Sequence, residues 1–182
     1  KLIIVGGYRY SGGHEFFNVT DILDLDDETT TCNVLSPYPF QVDSIQAGVL
    51  DSKPIFCGGH GDSGDNPKEC FQYTIQGFKS FANLTYASAS SASTVVQIDK
   101  QECLWISGGN MKNKSQVVYS SGTVSEGPVM PENIIAHCVV AINKTSVLVI
   151  GGYNGYVSKK THGYNFESGQ WSNGPELINE RY

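Results

Sequence analysis

Four times in 182 residues a short apolar run ends in two glycines: "LIIVGG" (2–7), "PIFCGG" (54–59), "LWISGG" (104–109) and "VLVIGG" (147–152). Steps of about 52, 50 and 43 residues separate the first glycines, Gly6, Gly58, Gly108 and Gly151, a period that marks a repeat architecture built from one supersecondary unit. The surroundings repeat too. A second run precedes three of the pairs, "IQAGVL" (45–50), "STVVQI" (93–98) and "HCVVAI" (137–142), and turn residues at Asp51-Ser52-Lys53, Asp99-Lys100-Gln101 and Asn143-Lys144 join the two runs. Apolar runs separated by such a turn predict a β-hairpin. After each glycine pair the chain gives a polar loop, a third strand ("DILDL", "CFQY", "QVVY", "HGYNF") and a fourth near Cys32, Phe81, Val124 or Trp171. The pattern predicts an all-β chain of four-stranded antiparallel units. The first unit enters at its second strand, so three units are complete.

The glycine doublet, a tyrosine about a dozen residues on, and a tryptophan six or seven beyond it together resemble the kelch repeat family. Gly151-Gly152, Tyr164 and Trp171 match best, while the earlier copies carry Cys32, Phe81 and Val124 at the tryptophan position. The resemblance covers essentially the whole chain. It implies a kelch-type β-propeller with blades at 1–36, 37–86, 87–128 and 129–182. Such rings close with six or seven blades, so the chain is expected to be a segment completed by further blades or by another chain.

Several chemical motifs compete with the repeat. "IVGGY" (4–8), "AHC" (136–138) and "GDSG" (61–64) resemble the signatures of trypsin-like serine proteases. Here Ser63 precedes His137, the reverse of that family's order, and each match already has a place in the repeat as doublet, strand or loop. "GHGDSG" (59–64) is a formal GxGxxG, but a proline and a strand follow where a dinucleotide site needs a helix. Asp62, Asp65 and Asn66 lack the spacing of a calcium loop, and Asp26-Asp27-Glu28 is expected to be a solvated turn. Galactose oxidase-like copper radical enzymes also use kelch-like blades. His14, His60, His137 and His162 lie in separate repeats with no matching ligand motif. The expectation is a noncatalytic chain with no metal and no cofactor.

A net charge of -6 offers no footprint for nucleic acid, and no apolar run reaches the roughly 20 residues of a membrane helix. The chain opens on Lys1, which suggests processing or a fragment. Four sequons, at Asn18, Asn83, Asn113 and Asn143, exceed the roughly two expected by chance and mark candidate glycosylation sites. The five cysteines show no paired CxxC that would suggest a zinc site, and together with the sequons they favour an oxidising, secretory compartment. Cys57 closes one strand and Cys70 opens the next, which predicts a disulfide with a Cα separation of about 4.4 to 6.8 Å. The pairing of Cys32, Cys103 and Cys138 stays open.

In such units the loops between second and third strands share one face with the links between units, and function concentrates there. "YRYSGGHEFF" supplies Tyr8, Arg9, Tyr10 and His14, the next loop supplies His60, and "YNGYVSKK" supplies Tyr153, Asn154 and Tyr156. Exposed aromatic and Arg side chains are common interface anchors. The expected function is an extracellular glycoprotein scaffold that engages protein or glycan through these loops. The alternative is a cytosolic kelch adaptor, such as a ubiquitin-ligase substrate receptor, with an oxidase-like or protease-like enzyme more remote.

Overall fold

The computed structural model describes residues 1–26, 33–61, 64 and 66–182. Cys32, Asp62, Ser63, Asp65 and the Asp27-Glu28 part of the acidic turn lie outside these residues. The described chain is all-β, with one short 3-10 turn at Gly109–Met111. Three sheets have four antiparallel strands each. The second sheet holds Gln46–Leu50, Lys53–Cys57, Glu69–Thr74 and Gly77–Asn83, in sequence order from one edge to the other. The third holds Ala92–Ile98, Gln101–Ser107, Ser115–Tyr119 and Val124–Glu126, and the fourth Cys138–Asn143, Ser146–Ile150, Thr161–Asn165 and Gln170–Asn173. The first has three strands, Leu2–Val5, Thr20–Leu23 and Asn33–Val34. No helix among the described residues is long and apolar enough to cross a membrane.

The turns form by the chemistry their residues allow. Asp51 and Ser52 both take positive φ (47° and 64°), as do Asp99 and Lys100 (50° and 66°). Two consecutive left-handed residues match the twist of the flanking strands, and Asp tolerates this region better than most side chains. The Asn143 turn solves the problem differently: a bulge lies between Ala141 and Asn143, and the Asn143 side-chain oxygen accepts the Thr145 amide.

Alternation then decides what packs where. In the third sheet, Leu104 and Ile106 join Leu50, Ile55 and Val118 in one core cluster, while Cys103 and Trp105 join Val139, Val147 and Val149 in another. A third cluster, Tyr38, Val42 and Phe56 with Ile3, Val5, Phe71 and Phe78, fills the space between the first and second sheets. The four sheets therefore pack face to face in sequence order. The first strands of the second, third and fourth sheets also lie beside one another. They are stitched by the Gln46 side chain donating to the Ser91 carbonyl (3.1 Å) and by the Gln97 amide donating to the Lys144 carbonyl (2.6 Å).

The glycine doublets are where each sheet receives the link that leaves it. The second glycine of each pair donates its amide to a link carbonyl: Gly7 to Val42, Gly59 to Ser88, Gly109 to Ile134 and Gly152 to Arg181, at 2.8 to 3.0 Å. These carbonyls recur at intervals of about 46 residues, a more even spacing than that of the glycines themselves. At Gly108 the requirement for glycine is twofold: φ is 64°, and a Cβ would stand 2.5 Å from the Ile134 carbonyl oxygen. No other residue combines that backbone conformation with so close an approach.

Cys57 and Cys70 are direct cross-strand partners with sulfurs 2.05 Å apart. Their Cα separation of 4.0 Å is shorter than the expected range of about 4.4 to 6.8 Å. Closing this loop contributes on the order of 2 to 3 kcal/mol. Among the described residues Cys103 and Cys138 have no disulfide partner, and the first is buried and the second exposed.

Candidate functional site

The first loop is itself a hairpin, Tyr8–Tyr10 paired with His14–Phe16. The register sets Tyr8 opposite Phe16, Tyr10 opposite His14 and Arg9 opposite Glu15. One face is therefore entirely aromatic, and the other carries the ion pair Arg9–Glu15 (2.7 Å), with the Arg9 guanidinium 5.6 Å above the Phe17 ring. Tyr8, His14 and Phe16 lie within 29° to 38° of one another in plane, with centroids 5.8 to 6.4 Å apart, and make a wall.

The wall meets residues from the second unit. Val42–Asp43, in the link, pairs with His60–Gly61, just after the second glycine doublet, as a two-stranded ribbon. This brings His60 edge-on to Phe16 (5.3 Å) and sets its Nδ1 3.5 Å from Asp43 Oδ1, too long for a hydrogen bond. That oxygen is buried and accepts no hydrogen bond from any described residue. Tyr8, His14, Phe16, Asp43 and His60 line an open cavity of about 530 Å³.

Of the residues singled out in the sequence, Tyr8, His14 and His60 converge here, and Tyr10 packs on His14 (5.4 Å). Arg9 does not, because strand alternation turns it to the opposite face. Tyr153, Asn154 and Tyr156 form a second group. Tyr153 exchanges both backbone hydrogen bonds with Ile135, and Asn154 donates to Glu132. Glu132 also accepts from His162 Nε2 (3.0 Å) and Lys160 Nζ (3.3 Å). Burial pushes its pKa up, but the donors His162, Asn154 and Lys160 outweigh burial and hold the carboxyl below its ordinary value. Tyr8, Tyr10, Tyr153 and Tyr156 are all exposed.

His137 lies elsewhere, buried between the third and fourth sheets with Nε2 3.0 Å from Ser107 Oγ. Burial lowers its pKa to about 4. Ser107 is fully buried, so this pair faces packing and not solvent. Among the described residues no group of three or more His, Cys, Asp or Glu side chains is placed to hold a metal. Asn83 and Asn143 are exposed, and Asn18 and Asn113 are half-buried. Asn83 is the last residue of its strand, because the pairing with Glu69 extends that far.

The sequence pattern did not single out Asp43 or Glu132. Both belong to links, and what places them is the 46-residue rhythm of the link carbonyls: Asp43 follows Val42, and Glu132 comes two residues before Ile134.

No family model matches the chain, and no curated protein matches it. Among solved structures, that of YjhT shares the fold with a TM-score of 0.73 at 12% sequence identity, over 89% of this chain. The chain spans 60% of the length of that structure.

Proposed function

We propose that the chain is a run of four blades from a kelch-type β-propeller and that it serves as a noncatalytic extracellular scaffold, binding protein or glycan through the loops between second and third strands. One observation carries this reading: side chains from two units, the Tyr8–Phe16 hairpin and the Asp43–His60 ribbon, converge on a single open aromatic cavity. Rings that only filled space between sheets would be buried, yet Tyr8 and Tyr10 are 54% and 74% exposed. Uncovered apolar side chains at both ends of the sheet series support further blades. The buried Cys57–Cys70 pair is compatible with an oxidising compartment.

Two measurements test the proposal. Binding of the purified protein to cell surfaces and matrix should fall at least about tenfold in the double variant Tyr8→Ser, Tyr10→Ser and stay unchanged in Ile75→Ser, which alters a fully exposed turn residue. Equal binding by all three proteins would remove the loop face as the site. Mass spectrometry of the native protein should find glycan on at least one of Asn18, Asn83, Asn113 and Asn143 and an oxidised Cys57–Cys70 pair. Four bare sequons with reduced cysteines would point to the cytosolic adaptor instead.

A further inference from the structure

The chemistry of the first cavity is specific enough to name a ligand class. We infer that it takes a neutral pyranose ring, with the apolar C–H face of the sugar laid on the wall of Tyr8, His14 and Phe16 and its hydroxyls turned to Asp43 and His60. This rests on the loop face being a binding face, as proposed above.

Three observations carry the assignment. Adjacent rings inclined by 29° to 38° to one another form a shallow, curved platform, which suits a puckered ring with one apolar face. Such a ligand gains from covering apolar surface without needing to be enclosed. Next, the polar groups at the foot of the wall form a mixed set. The Asp43 carboxylate only accepts, while His60 and His14 each carry a ring N–H donor and, when neutral, an acceptor nitrogen. A hydroxyl is donor and acceptor at once, so a polyol satisfies this set, and Asp43 Oδ1 has no donor among the described residues. The cationic competitor fits less well. An aromatic cage for an ammonium or guanidinium surrounds the charge with ring faces. Here His60 stands at 65° to Phe16 and presents an imidazole beside Asp43, the only carboxylate among the described residues of the lining. The cavity, about 530 Å³ and open to solvent, suits a terminal sugar or a short glycan end.

The test is saturation-transfer NMR with isothermal titration of the purified protein, using methyl glycosides of glucose, galactose, mannose and N-acetylglucosamine, with N-acetyl-arginine methylamide as the cationic probe. At least one glycoside should bind in a saturable way. Tyr8→Ala should abolish its signal and Tyr8→Phe should keep it, because the ring face and not the hydroxyl is the platform. Asp43→Asn should weaken binding about tenfold, the loss of one charge-assisted hydrogen bond. Ile75→Ser should bind as wild type, and thermal melts of all variants should confirm folding.

Glycoside binding that survives Tyr8→Ala and Asp43→Asn but is lost in Tyr153→Ala would overturn this pocket assignment while leaving the loop-face reading intact. Binding of the arginine probe alone would replace the sugar with a cationic side chain. No binding of any glycoside by the folded protein would refute the inference, and the cell-surface comparison would then judge the loop face on its own.

Discussion

The strands Gln101–Ser107 of the third sheet and Leu2–Val5 of the first have the same design, an apolar run leading into a glycine doublet, and opposite surroundings. In Gln101–Ser107 the stretch Cys103, Leu104, Trp105 and Ile106 is fully buried. In Leu2–Val5, Ile3 and Val5 pack inward, while Leu2 and Ile4 are 46% and 47% exposed. At the far end, Val140 and Ile142 are likewise exposed. The two ends do not cover one another. An apolar run without alternation encodes a strand buried on both faces, so the repeat specifies units that each need two neighbours. The inner units find both within this chain and the end units find one.

The largest difference should appear at Trp105. Its ring packs edge-on to Phe166 (5.8 Å) and near Trp171 (6.4 Å), so Trp105→Ala should cost about 3 to 5 kcal/mol in urea denaturation. A cost below about 1 kcal/mol would mean that the inner faces are not the core.

Next is the acid limb of stability. The folded protein holds His137 at about 4, against an ordinary value of 6.5, so the unfolded chain takes the proton first. Stability present above pH 6.5 is therefore lost as pH falls toward 4, by up to about 3 kcal/mol. His137→Gln should flatten that window in a series of denaturation curves. An unchanged acid slope would show that His137 is not held neutral between the sheets.

The doublets give a contrast of at least about 1 kcal/mol. Gly108→Ala forces a Cβ onto the Ile134 carbonyl at positive φ, whereas at Gly12, also at positive φ (85°), a Cβ meets nothing within 4 Å. The first should lower stability by about 2 kcal/mol or more and the second by about 1 kcal/mol or less. Equal melting shifts would leave only backbone conformation, without the link contact, as the role of the doublet.

The smallest expected effect is at the end face. If a further sheet covers it in the native protein, Ile4→Ala should cost about 1 to 2 kcal/mol. No cost would leave that face open to water.

What the sequence reveals follows how local the physics is. The hairpin turns at Asp51-Ser52 and Asp99-Lys100 and the Cys57–Cys70 pair depend on residues near in sequence or on strands adjacent by the repeat, and all are legible. The aromatic wall is half legible: Tyr8, Tyr10 and His14 stand out as types, but only the register of the Tyr8–Phe16 hairpin shows that Arg9 turns away. Asp43 and Glu132 are hidden, because a polar residue in a link gives no periodic signal. Their partners, His60 and Asn154, lie about 17 and 22 residues away and meet them only through link docking. The exposure of Leu2 and Ile4 is hidden for a different reason. Hydrophobic pattern states what a strand can bury, not whether a neighbour is there to bury it.

That distinction leads to the most direct measurement: thiol labelling of the native protein at Cys138, which opens the first strand of the fourth sheet, and at an introduced Ile4→Cys, with Ile75→Cys as the exposed standard. If further blades cover both end faces, Cys138 and the cysteine at position 4 should label about 100-fold more slowly than the standard and catch up only on unfolding. Labelling of both at the rate of the standard would contradict the propeller reading and leave a four-sheet stack with two open apolar faces.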